Sequence, residues 1–413
     1  MLHRADGDLY MEQVSLNEIA EQHGTPCYVY SEAAIRRAYE SFDKAFAGHP
    51  HAIRYAVKAN SNIAILQLLA EMGAGFDIVS AGELTRVLKA GGDATSVVFS
   101  GVGKQNWEIE YALTSGIGCF NVESESELRR ISAIAAELQV SAPVSMRVNP
   151  DVDAKTHPYI ATGLKENKFG VAPKIAIDMY RTAKADPWLS IVGIDCHIGS
   201  QITELEPFLD ALERLLELTD DLSGQGTELS HIDLGGGLGI RYRDEEPINI
   251  ETFAGAIIQA MSGRSQQLMF EPGRMIVGNA GLLLTRVNTC KVNEERNFAV
   301  TDAAMNDLIR PALYDAWQEV QPVMTRSGEN RQWDIVGPVC ETGDFLAKNR
   351  SLALEEGDLL AVLSAGAYGF VMSSNYNSRG RAAEIMVSGT DHSCIRRRET
   401  IEDLLALESL RQR

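Results

Sequence analysis

Between residue 50 and about residue 275, short apolar runs alternate with longer amphipathic stretches. The runs are Ile53–Val57, Gly75–Val79, Val97–Ser100, Gly118–Val122, Val144–Asn149, Val192–His197, His231–Leu234 and Leu268–Glu271. Within them apolar and polar positions alternate with the period of a strand. Ile53, Tyr55 and Val57 oppose Ala56 and Lys58; Phe76 and Ile78 oppose Asp77; Val144, Met146 and Val148 oppose Ser145, Arg147 and Asn149; Val192, Ile194 and Cys196 oppose Asp195 and His197; Leu268 and Phe270 oppose Glu271. The stretches between them read as helices. Asn62–Met72 stops at Gly73, Ser124-Glu125-Ser126-Glu127 is a capping box opening a helix through Leu138, and Leu205–Leu222 carries leucines at helical spacing. β-then-α repeats in this number predict an α/β fold, a (β/α)8 TIM-type barrel.

After Glu271 the pattern changes. Leu282–Val292, Phe298–Asp302, Trp333–Val336, Leu359–Ser364 and Glu384–Ser388 read as strands with few long helices between them, which predicts a second, mainly β domain at the C-terminal side. The expected division is 1–25 as an N-terminal segment joining the β domain, 26–275 as the barrel and 276–413 as the β domain.

Composition narrows the function. A chain of 413 residues is long for one domain, and 45% hydrophobic with 23% charged residues is ordinary for a globular protein. The formal charge of -19 argues against nucleic acid or an anionic membrane surface as partner, though not against a small charged substrate held by local arginines. No apolar run follows Met1-Leu2-His3-Arg4, so no signal peptide is expected, and no segment approaches a membrane span. The six cysteines are scattered without a C-x-x-C pair, so a disulfide framework or cysteine metal site is not expected and a cytoplasmic location is.

Polar groups end several of the strands. Lys58 closes the first, His197-Ile198-Gly199-Ser200 follows the sixth, Gly235-Gly236-Gly237 the seventh, and Glu271-Pro272-Gly273-Arg274 the eighth. In a barrel these ends gather at the C-terminal mouth. An amine, an imidazole, a glycine-rich anion cradle and a carboxylate are what a pyridoxal 5'-phosphate site requires. Lys58 is the candidate Schiff-base amine, Gly235–Gly237 the phosphate cradle and Glu271 the partner of the pyridine nitrogen. His197 would pack flat on the ring, and Asp77 and Arg147 would orient these groups. The glycine run could instead be a dinucleotide fingerprint, but its spacing is not G-x-G-x-x-G and Arg241–Pro247 does not open a helix. Arg310 and Tyr314 stand four apart and would project to one side of a helix.

The motifs Tyr55–Asn60, Phe76–Leu84, His157–Val171, His197–Gln201, Gly235–Gly239, Glu271–Arg274, Arg310–Tyr314 and Gly337–Glu341 run nearly end to end. In them the chain resembles the alanine racemase-like, fold type III pyridoxal phosphate-dependent decarboxylases. The His157–Val171 and Arg310–Tyr314 segments point to the branch acting on meso-2,6-diaminopimelate. The resemblance implies release of CO2 to give L-lysine, the last step of lysine biosynthesis. It implies Lys58 and Cys340 as catalytic residues, with Cys340 as proton donor. Lys58, His197, Ser200, Gly235, Gly236, Gly237, Glu271, Gly273, Arg274 and Tyr368 would surround the cofactor. Arg274, Arg310, Tyr314, Glu341 and Tyr368 would hold the substrate. It further implies a homodimer with shared active sites, the Cys340 loop of one copy reaching the barrel of the other. The rival readings are a sister decarboxylase acting on ornithine, arginine or carboxynorspermidine, a racemase, which Glu271 disfavours, and a non-catalytic pyridoxal phosphate carrier.

Overall fold

The structure is a computed structural model and describes residues 1–152 and 168–411. Most of the His157–Val171 motif therefore lies outside the described residues. The chain divides into two compact units. One comprises Ala38–Ile240 and Glu246–Met275; the other comprises Met1–Arg37, Arg241–Glu245 and Ile276–Arg413.

The first unit is the barrel. Its strands are His51–Ala56, Gly75–Ile78, Val97–Phe99, Cys119–Val122, Ala142–Arg147, Leu189–Asp195, His231–Asp233 and Gln267–Phe270. They pair in chain order, all parallel, and the last pairs with the first to close the ring. Each expected strand is present, and most stop a residue or two sooner than expected. Lys58 lies just past its strand in a 3-10 turn, Val57–Ala59. The alternation is used as expected at Ile53, Tyr55, Phe76, Ile78, Val144, Met146 and Ile194, which are buried apolar positions, and at Asp77, Ser145, Arg147 and Asp195, which are buried polar ones; Asp233 is a further buried polar position that the alternation did not single out. Val192 departs from it, because the pairing register shifts between Ile191 and Gly193 and Val192 packs with Val98, Cys119 and Met269 instead. Outside the ring, Phe46 packs at a tilt against Phe270 with ring centres 4.3 Å apart, and Phe42 and Phe253 meet the same ring edge-on. That aromatic wedge joins the end of the chain's circuit to its beginning.

The helix caps follow the sequence signals with one change. Asn62 caps Ile63–Glu71, and Ser124 accepts from the Glu127 N–H to cap Glu125–Leu138. Glu127 does not return the bond to Ser124. Its carboxylate takes the N–H of Glu123 at 2.9 Å and the ammonium of the buried Lys104 at 2.7 Å, a stronger pairing than the reciprocal cap.

The second unit is mainly β. A large mixed sheet runs through Phe345–Leu352, Arg331–Val336, Asn297–Thr301, Gly281–Lys291, Cys27–Ser31, Ala383–Ser388 and Asp391–Arg396, with Leu359–Val362 and Val320–Pro322 branching from Gly281–Lys291. A separate sheet joins Leu2–Ala5, Asp8–Met11 and Val14–Ser15. The division differs from the expected one at the N-terminal side: residues 26–37 belong with the β unit. The reason is the strand Cys27–Ser31, which pairs antiparallel with Gly281–Lys291 and parallel with Ala383–Ser388. All five of its residues are buried, so it shows no apolar–polar alternation to announce it.

Candidate active site

In the barrel unit the Lys58 ammonium donates to Asp77 Oδ2 at 2.5 Å, across the ends of adjacent strands. Asp77 is fully buried, and its Oδ1 has no hydrogen-bond partner among the described residues. Arg147 ends the fifth strand and is held by two carboxylates, with Nη1 3.2 Å from Glu123 and Nε 3.8 Å from Asp195. Burial works against its charge, but those carboxylates outweigh it and raise its pKa. Glu123 is fixed in turn by the N–H groups of Gly101 and Gly170, each at 2.9 Å.

Asp195, Asp233 and Glu271 end the sixth and seventh strands and follow the eighth. A carboxylate oxygen of each lies within 4.8 Å of the other two. Burial, then the neighbouring carboxylates, pushes Glu271 and Asp195 well above the ordinary carboxyl range and Asp233 up to about 7. With Asp77 this gives four buried carboxyls facing two cations, Lys58 and Arg147. Asp195 Oδ1 and Asp233 Oδ2 also have no hydrogen-bond partner among the described residues. Such a mouth suits a ligand that brings positive charge and a donor, as a protonated pyridine ring does. By this test the residues fit pyridoxal phosphate.

Glu271 is aimed by two residues absent from the sequence reading. Ser100 Oγ and Asn121 Nδ2 both donate to its Oε1 at 3.4 Å, and Asn121 also donates to Ser100 Oγ at 3.2 Å. Their signal was a polar side chain near the end of the third and fourth strands.

His197 has its pKa driven well below the usual histidine range by burial, then by Arg147 and Lys58. Its Nδ1 accepts the Gly236 N–H at 3.1 Å, so the neutral ring carries its proton on Nε2. The Gly235 N–H goes to Asp233 Oδ1 at 2.8 Å. Two of the three amides expected to face a phosphate are thus committed inside the protein, and the cradle reading rests on Gly237 and its neighbours. The glycines are needed for packing as well: a Cβ on Gly236 would lie 2.2 Å from the Glu271 carbonyl, and one on Gly237, at φ +110, 2.5 Å from that of Gly199. Gly273 admits Ala59, whose Cβ would be 2.8 Å from its own. Arg274 is buried and donates to Ser200 Oγ at 3.0 Å.

The remaining candidates lie in the β unit. Arg310 and Tyr314 bound a short helix, Arg310–Tyr314, so the expected helical pairing holds. Arg310 is buried and its guanidinium lies 4.5 Å from the centre of the Tyr242 ring. The fully buried Gln318, with its amide oriented by its hydrogen bonds, accepts from Arg310 Nη1 at 3.0 Å. Nothing in the sequence marks Gln318. Cys340 and Glu341 are exposed in the turn after Arg331–Val336. That turn is pinned from below, since Asp344 accepts the N–H groups of Val339 and Met305 at 2.8 and 2.6 Å. Asn377, itself at φ +56, accepts the Cys340 N–H at 2.9 Å. Tyr368 is half-buried with φ +55, a conformation a tyrosine adopts only where its surroundings enforce it. The barrel candidates are thus gathered around one mouth; Arg310, Tyr314, Cys340, Glu341 and Tyr368 belong to the other unit.

The chain is similar to known proteins along nearly its whole length. The family described as "Pyridoxal-dependent decarboxylase, pyridoxal binding domain" matches residues 32–278. The diaminopimelate decarboxylase of Pseudomonas aeruginosa is 61% identical over 405 residues, 98% of each chain, and that of Vibrio cholerae is 56% identical over 99% of this chain and 98% of its own. Among solved structures, the diaminopimelate decarboxylase of Helicobacter pylori complexed with L-lysine superposes with a TM-score of 0.92 at 44% identity, covering 95% of this chain and 98% of that one. The M. jannaschii enzyme in co-complex with L-lysine gives 0.95 at 37% identity, over 99% and 98%.

Proposed function

Because this chain belongs to the pyridoxal-dependent decarboxylases, and within them to the diaminopimelate decarboxylase family, we propose that it converts meso-2,6-diaminopimelate to L-lysine and CO2. The observation that carries this reading is the barrel mouth: one amine, Lys58, set among buried carboxyls that call for a cationic ring. When bound, pyridoxal phosphate supplies an aldehyde that engages an amine and a protonated ring that takes up the electron pair left as CO2 departs.

The chain's own residues do the rest. Asp77 holds the Lys58 ammonium in place until the cofactor arrives, with Nζ 2.5 Å from Oδ2, and Lys58 would present that amine to the aldehyde. Glu271, steadied by Ser100 and Asn121, keeps the ring nitrogen protonated. His197, neutral and fixed through Nδ1, offers a ring face rather than a charge. Ser200 and Arg274 border the same mouth, with Gly235, Gly236, Gly237 and Gly273 allowing the backbone to approach closely. Arg310, held by Gln318 and stacked on Tyr242, would take the carboxylate that is retained, together with Arg274, Tyr314, Tyr368 and Glu341, the last for the distal ammonium. Cys340 would deliver a proton to the carbon that loses CO2.

The working form is a homodimer in which the Cys340 turn of one copy completes the barrel mouth of the other. The support is that Cys340 and Glu341 stand exposed on a turn whose base is rigidly anchored, although a proton donor needs a dry setting. Six free thiols suit a cytoplasmic setting.

The test is a substrate panel with the cofactor supplied. Rapid CO2 release from meso-diaminopimelate, with L-lysine as product, is expected. Equal rates with L-ornithine or L-arginine would overturn the assignment in favour of a sister decarboxylase.

A further inference from the structure

We propose that the β unit carries a binding site for a small oxyanion, a phosphate or carboxylate group, built on Arg350, Trp317, Arg243 and Lys348 and separate from the residues assigned to the reaction. Its centre is Arg350, on the strand Phe345–Leu352 and only 6% exposed. Its Nη1 and Nη2 donate to the backbone carbonyls of Lys348 and Gln318, at 2.5 and 2.8 Å. Neither bond neutralises the charge. Among the described residues no carboxylate lies within ion-pair distance of this guanidinium, and its Nε has no acceptor. A buried charge in that state is costly unless an anion joins it.

Its neighbours repeat the demand. The Arg350 guanidinium lies 3.3 Å from the centre of the Trp317 ring, and that of Arg243 lies 4.2 Å from it. The Trp317 indole N–H is buried without an acceptor among the described residues. These groups, with Lys348, line a cavity of about 370 Å³. Arg350, Arg243 and Lys348 are cations and Trp317 is a donor, Asp315 is the one acidic side chain of the lining, and the space exceeds what a tetrahedral oxyanion fills.

The nearby carboxylates do not meet the need. Asp315 pairs with Lys348 at 2.9 Å and Asp244 with Arg243 at 3.2 Å, but both are 85% exposed and can swing into solvent at little cost. Asp334 is occupied by Arg296 and by the Asn349 N–H at 2.8 Å. Burial works against the charge of Arg350 first and Arg243 adds to it, lowering its pKa, while Glu319 and Asp334 favour the charge only from beyond ion-pair range.

The test uses the intact holoenzyme titrated with sodium phosphate against sodium chloride at matched ionic strength. Tryptophan fluorescence and the melting midpoint are followed while the cofactor absorbance is checked for constancy. A saturable phosphate response is expected. Arg350→Met should weaken it by about tenfold or more, the loss of a charge-assisted pair. Trp317→Phe, which keeps a ring for stacking but removes the donor, should weaken it roughly fivefold in the melting assay. If Arg350→Met does not fold, Trp317→Phe and Lys348→Ala carry the test. A wild-type response no different from chloride overturns the proposal, as does a phosphate response unchanged in the foldable variants. Phosphate acting only by shifting sedimentation from dimer to monomer also overturns it, because the anion would then be a side chain of a second copy.

Discussion

The barrel mouth and the Cys340 turn are built on opposite terms. At the mouth nearly every functional side chain is buried and held by at least one named group: Lys58 by Asp77, Arg147 by Glu123 and Asp195, Glu271 by Ser100 and Asn121. In the turn, Cys340 and Glu341 are exposed while the backbone beneath them is fixed by Asp344 and Asn377. One region fixes side chains in a prepared field; the other fixes backbone and leaves side chains waiting for a cover. A site that must capture a charged ring needs its electrostatics set in advance. A group that acts by donating one proton needs only to be delivered to the right place.

Four experiments probe that contrast. Lys58→Ala should abolish the visible absorbance of the holoenzyme and lower turnover by at least about 10⁴-fold, the upper end of what one acid–base group contributes. A retained band would remove Lys58 from the cofactor site. Cys340→Ala should cut kcat by roughly 10²–10⁴-fold while leaving the absorbance band intact; loss of the band as well would erase the division of labour between the regions. Gln318→Leu, measured by steady-state kinetics, should raise KM for diaminopimelate about tenfold with a smaller change in kcat, because Arg310 loses a buried acceptor. An unchanged KM would show that Arg310 needs no such support.

The smallest effect concerns pH. Asp233 and Glu83 both rise to about 7, from 3.8 and 4.5, chiefly through burial. Between the lower and upper values the folded apoprotein holds more protons than the unfolded chain, so its stability falls as pH rises through that window and levels off above it. His231, pushed by burial from 6.5 down to about 4, works the other way between those values. The carboxyls, joined by Asp195 and Glu271, outnumber it. Asp233→Asn should therefore flatten the decline and raise the apoprotein's melting midpoint above pH 7 by a few degrees, about 2–4 °C per kcal/mol for a unit of this size. A steeper decline would mean that the mouth is not short of positive charge.

The barrel was legible because its strands alternate: buried polar residues such as Asp77, Arg147 and Asp195 stand out against apolar neighbours. The strand Cys27–Ser31 was not, since all five residues are buried and the period vanishes. Phe345–Leu352 was hidden for a different reason. It carries Lys348, Asn349 and Arg350 in sequence, and Asn349 at φ +57 breaks its regularity near a shift in pairing register. Candidate site residues carrying a charge or an imidazole at a strand end could be named from sequence; Ser100 and Asn121 gave only the weaker signal of a small polar side chain there, and Gln318 and Asn377 gave none. Their importance comes from what lies opposite them in space, and single polar residues of those types occur throughout any chain.

The glycines at 235–237 have a mechanical meaning beyond tolerance of an anion. With the Glu271 carbonyl 2.2 Å from where a Cβ on Gly236 would sit, and the Gly199 carbonyl 2.5 Å from that of Gly237, three chain segments touch backbone to backbone with no side chain as a cushion. They form a gauge block: the heights of imidazole, anion cradle and carboxylate are set against one another by van der Waals contact between backbones. A methyl group added there would not merely crowd the cradle but would reset the spacing between the two ends of a bound ring.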